Sequence, residues 1–365
     1  MNKKEVNEIR RRLSPVRSAI SRIYGCYVNT NREIISYLEE PFGLMPEFET
    51  DKYFSLLKKV LSGTMGRNLI DIVFSTQQVA DSDEHRLLSA LRSTRLQDRE
   101  TRDAFYQKVI DSLEMDGSNY LILLACDSYD VPARGKDDET QEDASDTVFT
   151  YVVCCICPVR DGKTELGYFP GENEFHSCTP VQIVEPPELG FLFPAFDDRA
   201  ANIYNALFYS KNPGRLHQEF IDAVFRTEPP MSADEQKETF ESALTDALED
   251  GCSYHVMQSV HEQLRERIQE HAESKDPEPL DLSPREVGQI LQSCDVPEEQ
   301  VRQFQHNCAE RFGEGAALNP GNIIDSKRFE IRTPQVKIAV DPAYSYLVET
   351  RIIAGRKCLV IPADE

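Results

Sequence analysis

Cys154-x-x-Cys157 followed by His176-x-Cys178 supplies the ligand types of a tetrahedral zinc site. A zinc knuckle needs a tight turn between its two cysteines, yet Tyr151–Cys157 is continuously apolar and reads as a strand. Side chains three apart on a strand point to opposite faces. The expectation is therefore reduced, metal-free cysteines that pack as small core residues. His255 and His261 are six apart without an HExxH arrangement, and read as positions on a solvated helix face. Asp127 and Asp130 end an apolar run, and Asp197-Asp198 are adjacent. Four such carboxylates could converge on a divalent metal for phosphodiester hydrolysis, although Asp is also a common turn residue at strand ends. There is no GxxxxGK[ST], no GxGxxG after a strand and no GxSxG, so P-loop and serine-hydrolase chemistry have no basis. No catalytic residue, metal ligand or cofactor is expected.

Charge offers a second kind of chemistry, because it is sorted along the chain. Residues 1–22 hold seven basic side chains, Arg10, Arg11 and Arg12 among them, against two acidic ones. Residues 326–360 hold seven basic side chains against three acidic. Between them, 228–314 has 21 acidic and seven basic residues, a net charge of −14. The whole chain carries −23, which opposes approach of its general surface to DNA or an anionic membrane. Any polyanion contact must be local. Arg328, Arg332, Lys337, Arg351, Arg356 and Lys357 lie on a predicted strand–turn–strand ending, where alternation could align several as a phosphate-contact stripe. Edge strands also carry Lys and Arg to resist unwanted pairing.

The elements that must position these residues follow from periodicity. At 365 residues with 40% hydrophobic content, about two domains fit the length. Apolar runs stop far short of a bilayer span, no secretory leader is recognised, and ten scattered cysteines suit a reducing cytosol. Residues 3–13 read as a short basic helix ended by Ser14-Pro15. Ile20–Val28 and Glu33–Leu38 read as a hairpin, 50–62 as a helix, Asn68–Phe74 as a strand, and 77–94 and 98–114 as polar helices. Asn119–Asp127 and Thr147–Pro158 read as central strands buried on both faces. Gly135–Asp146 between them has no large apolar side chain and reads as a mobile acidic loop. Further strands are expected at Glu165–Phe169, Val181–Val184 and Gly190–Phe193; Asp197–Ser210 fits helix or strand by period, and helix is the reading preferred. A boundary is expected at Asn212-Pro213-Gly214. Helices follow, then strands Arg328–Arg332, Val336–Val340, Leu347–Ile353 and Cys358–Ile361, the last two joined by an Ala354-Gly355-Arg356-Lys357 turn. The fold class is α+β: a domain at 1–212 with a mixed sheet and flanking helices, then a helical domain at 213–365 that ends in a small antiparallel sheet.

Two stretches, PELGFLFPAFDDRAANIYNALFYSKNP (187–213) and VKIAVDPAYSYLVETRIIAGRKCLVIPAD (336–364), resemble a bacterial family known only as a domain of unknown function. That likeness covers nearly the whole chain and implies no activity. More distantly, the order of elements from about residue 45 to 362 is similar to the bacterial nucleoid-associated protein family, with VETRII, AGRK and CLVIPAD as the strand–turn–strand ending. This second resemblance implies a cytoplasmic, non-enzymatic, DNA-associated protein, some of it at the nucleoid, that touches topoisomerases or other chromosome machinery. The acidic loop and the basic N-terminal helix have no counterpart in it. The functional expectation is nucleic-acid or chromosome-protein binding through Arg10, Arg11, Arg12, Arg328, Arg332, Lys337, Arg351, Arg356 and Lys357, with no membrane contact and with homo-oligomerisation left open. The rival expectations are a protein adaptor or regulator, a defence component among the options, docking through 228–314, and a metal-dependent nuclease.

Overall fold

The structure, a computed structural model, describes residues 1–134, 140–141, 147–178, 181–228, 230–248, 253–274, 276, 278–332 and 337–361. The chain divides into two compact units, Met1–Pro230 and Met231–Glu365. The first unit runs past the Asn212-Pro213-Gly214 turn expected to end it. No helix among the described residues is long and apolar enough to cross a membrane.

In the first unit, α1 (Lys3–Arg12) starts at Asn2, which forms a reciprocal capping box with Glu5. β1 (Arg22–Val28) and β2 (Ile34–Pro41) form the expected hairpin, followed by α2 (Glu47–Lys59) and β3 (Leu69–Val73). The polar stretch after it gives α3 (Thr76–Asp81), α4 (Asp83–Ser93) and α5 (Arg99–Ser112). Ser82 ends α3 and caps α4, splitting what periodicity presents as one helix. β4 (Asn119–Val131) precedes the ribbon β5 (Ala133–Arg134) and β6 (Thr140–Gln141); apart from that pair, the expected mobile loop 135–146 lies outside the described residues. β7 (Thr147–Asp161) is the longest strand. Then come β8 (Leu166–Phe169), β9 (Glu174–Ser177), β10 (Gln182–Val184), β11 (Leu189–Phe193), β12 (Ala195–Asp197), β13 (Ala200–Asn202), β14 (Asn205–Ser210) and α6 (Gln218–Phe225).

The large sheet has the order β2-β1-β4-β7-β11-β14-β3, with β10 also on β7. Every described pairing in it is antiparallel, which corrects the expected mixed sheet. Burial on both faces misled that reading, because it is the habit of parallel sheets. Here helices cover both faces of an antiparallel one. Tyr24, Leu124, Cys154, Phe191 and Phe208 pack with Leu91, Phe105, Val109, Phe220 and Phe225 of α4, α5 and α6. Ile23, Leu123, Val153, Cys155, Leu192 and Leu207 pack on the other face with Val6 and Ile9 of α1 and Phe54 and Leu57 of α2. Because α6 belongs to the first of these cores, the unit extends to Pro230.

Residues 197–210 are strands, not the expected helix. Asp198 and Arg199 both have positive φ (48° and 59°), making the tight turn between β12 and β13. β14 sends Ala206 and Phe208 to one core and Leu207 and Tyr209 to the other, so its alternation is invisible in an apolar run.

The second unit is α7 (Ala233–Leu248), α8 (Tyr254–Ser274), α9 (Pro284–Ser293), α10 (Glu298–Phe312) and α11 (Pro320–Ile323), then β15 (Phe329–Arg332), β16 (Lys337–Val340), β17 (Glu349–Ile353) and β18 (Arg356–Val360). Phe240, Leu244, Leu264, Leu291, Val301 and Phe304 form its core, from one face of each helix. Ala354 and Gly355, at φ 51° and 75°, alone make the last turn. Arg356 and Lys357, expected in that turn, lie in β18 opposite Ile353 and Ile352.

Candidate functional site

The structure separates the residues that spacing had suggested for metal chemistry. Cys154 packs in the core under α4–α6, whereas Cys157 packs in the opposite one. His176 is exposed on β9, stacked on Phe169 with ring centroids 3.6 Å apart and 3.1 Å from the Glu172 carboxylate. His261 departs from the expected solvated helix face. It is buried beside Phe329, and its Nε2 lies 2.9 Å from the Asp325 carbonyl. Among the described residues, no group of three His, Cys, Asp or Glu side chains is placed to hold a metal.

Asp127, a candidate metal ligand, is instead fully committed to the chain. It is 1% exposed and accepts hydrogen bonds from Arg12 Nε (2.8 Å) and Nη2 (3.3 Å), Ala19 N (2.7 Å), Ser128 N (2.9 Å) and Tyr151 Oη (2.9 Å). Arg12 also donates to the Ser128 carbonyl at 2.8 Å and lies 4.6 Å over the Tyr129 ring. Arg12, expected among the phosphate contacts, thus serves as an internal strut. Sequence spacing hides that role because 115 residues separate the partners.

The other expected basic contacts divide. Arg10, Arg11 and Arg328 are exposed, and among the described residues no carboxylate pairs with them. Lys337 pairs with Glu330 at 2.9 Å, and Arg351 folds back onto Glu349 at 2.6 Å. The side chains of Arg332, Arg356 and Lys357 lie outside the described ones. Local carboxylates thus neutralise part of the expected stripe.

A different site emerges in the first unit: a polar cleft of about 460 Å³ lined by Ser21, Arg22, Tyr24, Glu39, Arg95, Gln97, Cys126 and Ser128, with Ala19 at its wall. Strand geometry builds its floor. Tyr24 stands opposite Glu39 on β2 and opposite Leu124 on β4, and period-two alternation carries Arg22, Cys126 and Ser128 onto that same face. Asp127, one residue away, points to the other face and ties down Ala19, so one carboxylate braces the cleft from behind.

The turn between α4 and α5 forms the other wall. Arg95 and Leu96 both have left-handed φ (51° and 63°), a costly conformation for residues with a side chain. Leu96 is fully buried, which anchors the turn, and its carbonyl accepts a hydrogen bond from Arg102 on α5. Arg102 is itself 8% exposed, with its guanidinium 4.3 Å over the Tyr24 ring and 3.3 Å from Glu39. Arg22 reaches Glu39 at 2.8 Å. Arg95 has no carboxylate partner among the described residues. Burial pushes the Cys126 thiol up to about 12, outweighing the nearby Arg95 and Arg92 guanidiniums, which disfavours the thiolate.

Cleft and sheet together define a two-unit α+β protein with an arginine-lined polar cleft in its first unit. The chain belongs to the family described as a domain of unknown function (DUF4317), whose model matches residues 1–365. That agrees with the likeness seen at 187–213 and 336–364, and lends no support to the nucleoid-associated resemblance. A search of curated proteins returned no match to the chain.

Proposed function

We propose that this protein is a non-enzymatic binder of a small phosphate-bearing anion, held in the cleft of the first unit. One observation carries the reading. In a chain of net charge −23, Arg22 and Arg95 line one cleft and the buried Arg102 backs it, against one lining carboxylate among the described residues, Glu39. Such a local excess of guanidinium attracts an oxyanion from a distance and binds it through charge-assisted hydrogen bonds. Ser21, Ser128 and Gln97 add neutral donors that orient it. Calorimetric titration of the full chain with pyrophosphate at low ionic strength tests this. Saturable 1:1 binding is expected, weakened by about tenfold or more in Arg95→Ala. Absence of binding in the wild type overturns the reading.

A second reading, nucleic-acid contact through the basic ends, keeps the support of Arg10 and Arg11, which are exposed and without carboxylate partners among the described residues. Replacing both with Glu should flatten the slope of log affinity against log salt on duplex DNA by about two units. If the wild type retains no DNA at low salt, docking of a protein partner on the acidic stretch 228–314 becomes the better account of the charge sorting.

A further inference from the structure

We propose that Glu39 is the cleft's internal stand-in for its ligand, and that the ligand is a multiply charged phosphate anion of the pyrophosphate class. This rests on the anion-binding reading of the cleft. Glu39 sits on β2, an edge strand of the sheet, with its side chain 47% exposed. From there it bridges two guanidiniums at once, Arg22 Nη1 at 2.8 Å and Arg102 Nη2 at 3.3 Å. The two sides of that bridge differ in freedom. Arg102 is buried, held by the Leu96 carbonyl and the Tyr24 ring, and it cannot turn away. Glu39 stands at a sheet edge open to solvent, so it is the partner that can leave.

A buried guanidinium needs a counter-charge in every state of the protein. Glu39 supplies one in the structure described, and an incoming oxyanion supplies one once Glu39 has swung out. A monoanionic carboxylate exchanging with Glu39 replaces like with like and gains little. A phosphate or pyrophosphate also engages Arg95, which has no carboxylate partner among the described residues, and its extra charge rewards the exchange. The cleft therefore selects ligands by charge: strong for pyrophosphate, weaker for phosphate, negligible for acetate. Glu39 keeps wild-type affinity below what the arginines alone would give.

The test is titration of the wild type, Glu39→Gln and Arg95→Ala as full chains with pyrophosphate, phosphate and acetate. Glu39→Gln keeps the side chain's shape and removes its charge, so pyrophosphate binding should tighten by about tenfold while acetate stays unbound. The thermal shift that pyrophosphate causes should be larger in Glu39→Gln than in the wild type, because there it meets an uncompensated Arg102. If that variant folds poorly, Glu39→Asp, with the charge but a shorter reach, should tighten binding by about threefold. Wild-type binding of pyrophosphate that is unchanged or weaker in these variants overturns the stand-in role and leaves the anion site standing. Equal binding of acetate and pyrophosphate overturns the ligand class. If neither the wild type nor Glu39→Gln binds pyrophosphate, the anion-binding reading itself falls.

Discussion

The two units hold their charges in opposite ways. In Met1–Pro230, charged groups penetrate the structure. Asp127 and Arg12 meet beneath the sheet, Arg102 is buried against Tyr24, and Glu84 is buried between Lys108 and Ser82 at 3.0 Å from each. In Met231–Glu365 the core is aliphatic and aromatic, and the ion pairs lie on helix and strand surfaces, such as Arg302–Glu298, Arg311–Asp246 and Arg351–Glu349. Surface pairs contribute about 0–1 kcal/mol, whereas breaking a buried pair costs about 3–5 kcal/mol. Charge in the first unit is thus part of the architecture, and charge in the second mostly keeps the unit soluble and repels its own kind. The difference bears on where the proposed anion cleft lies. In the first unit the buried Arg102 guanidinium is fixed, and fixed donors bind without first losing side-chain freedom.

The largest test of this contrast is Asp127→Ala. It leaves Arg12, Ala19 N and Tyr151 Oη without their acceptor, and should destabilise the first unit by about 3–5 kcal/mol in urea unfolding. A loss below about 1 kcal/mol would show that the pair is not structural.

Acid offers an intermediate test. Burial disfavours the charged form of Glu84, but hydrogen bonds from Lys108 and Ser82 outweigh it and hold the carboxyl down to about 2, against 4.5 for the free group. A carboxyl with a depressed folded pKa binds fewer protons folded than unfolded. Its contribution is therefore complete above pH 4.5 and lost as pH falls from there towards 2. Glu84→Gln should cost about 1–2 kcal/mol at neutral pH and flatten acid unfolding of the first unit across that window. An unchanged acid profile would remove Glu84 from the list of architectural charges.

The smallest effect belongs to the second unit. Arg351→Ala breaks only the exposed pair with Glu349, so stability should move by no more than about 0.5 kcal/mol in the same urea experiment. A shift of 2 kcal/mol would place that hairpin charge in a packed environment and erase the contrast between the units.

Local order was legible in the residues. The basic helix at Lys3–Arg12, the hairpin of β1 and β2, the long apolar strands β4 and β7, and the helices α7, α8 and α10 all follow from periodicity and turn chemistry, which act over a few residues. Strand alternation also predicted that Cys154 and Cys157 face opposite ways. Where burial was total the same signal failed. β14 is buried on both faces, so neither its polar residues nor its period distinguished strand from helix.

Tertiary structure alone decided the antiparallel order of the sheet, the inclusion of α6 in the first core, and the fate of individual charges. Arg12 and Arg11 are neighbours of the same type, yet one is locked to a carboxylate 115 positions away and the other faces solvent. The cleft gathers Arg22, Glu39, Arg95 and Ser128 from separate elements, with Arg102 behind Glu39, through strand register and a left-handed turn after α4. Sequence periodicity reports which face a side chain takes on its own element. It carries no information about which distant element that face will meet, and here that meeting makes the site.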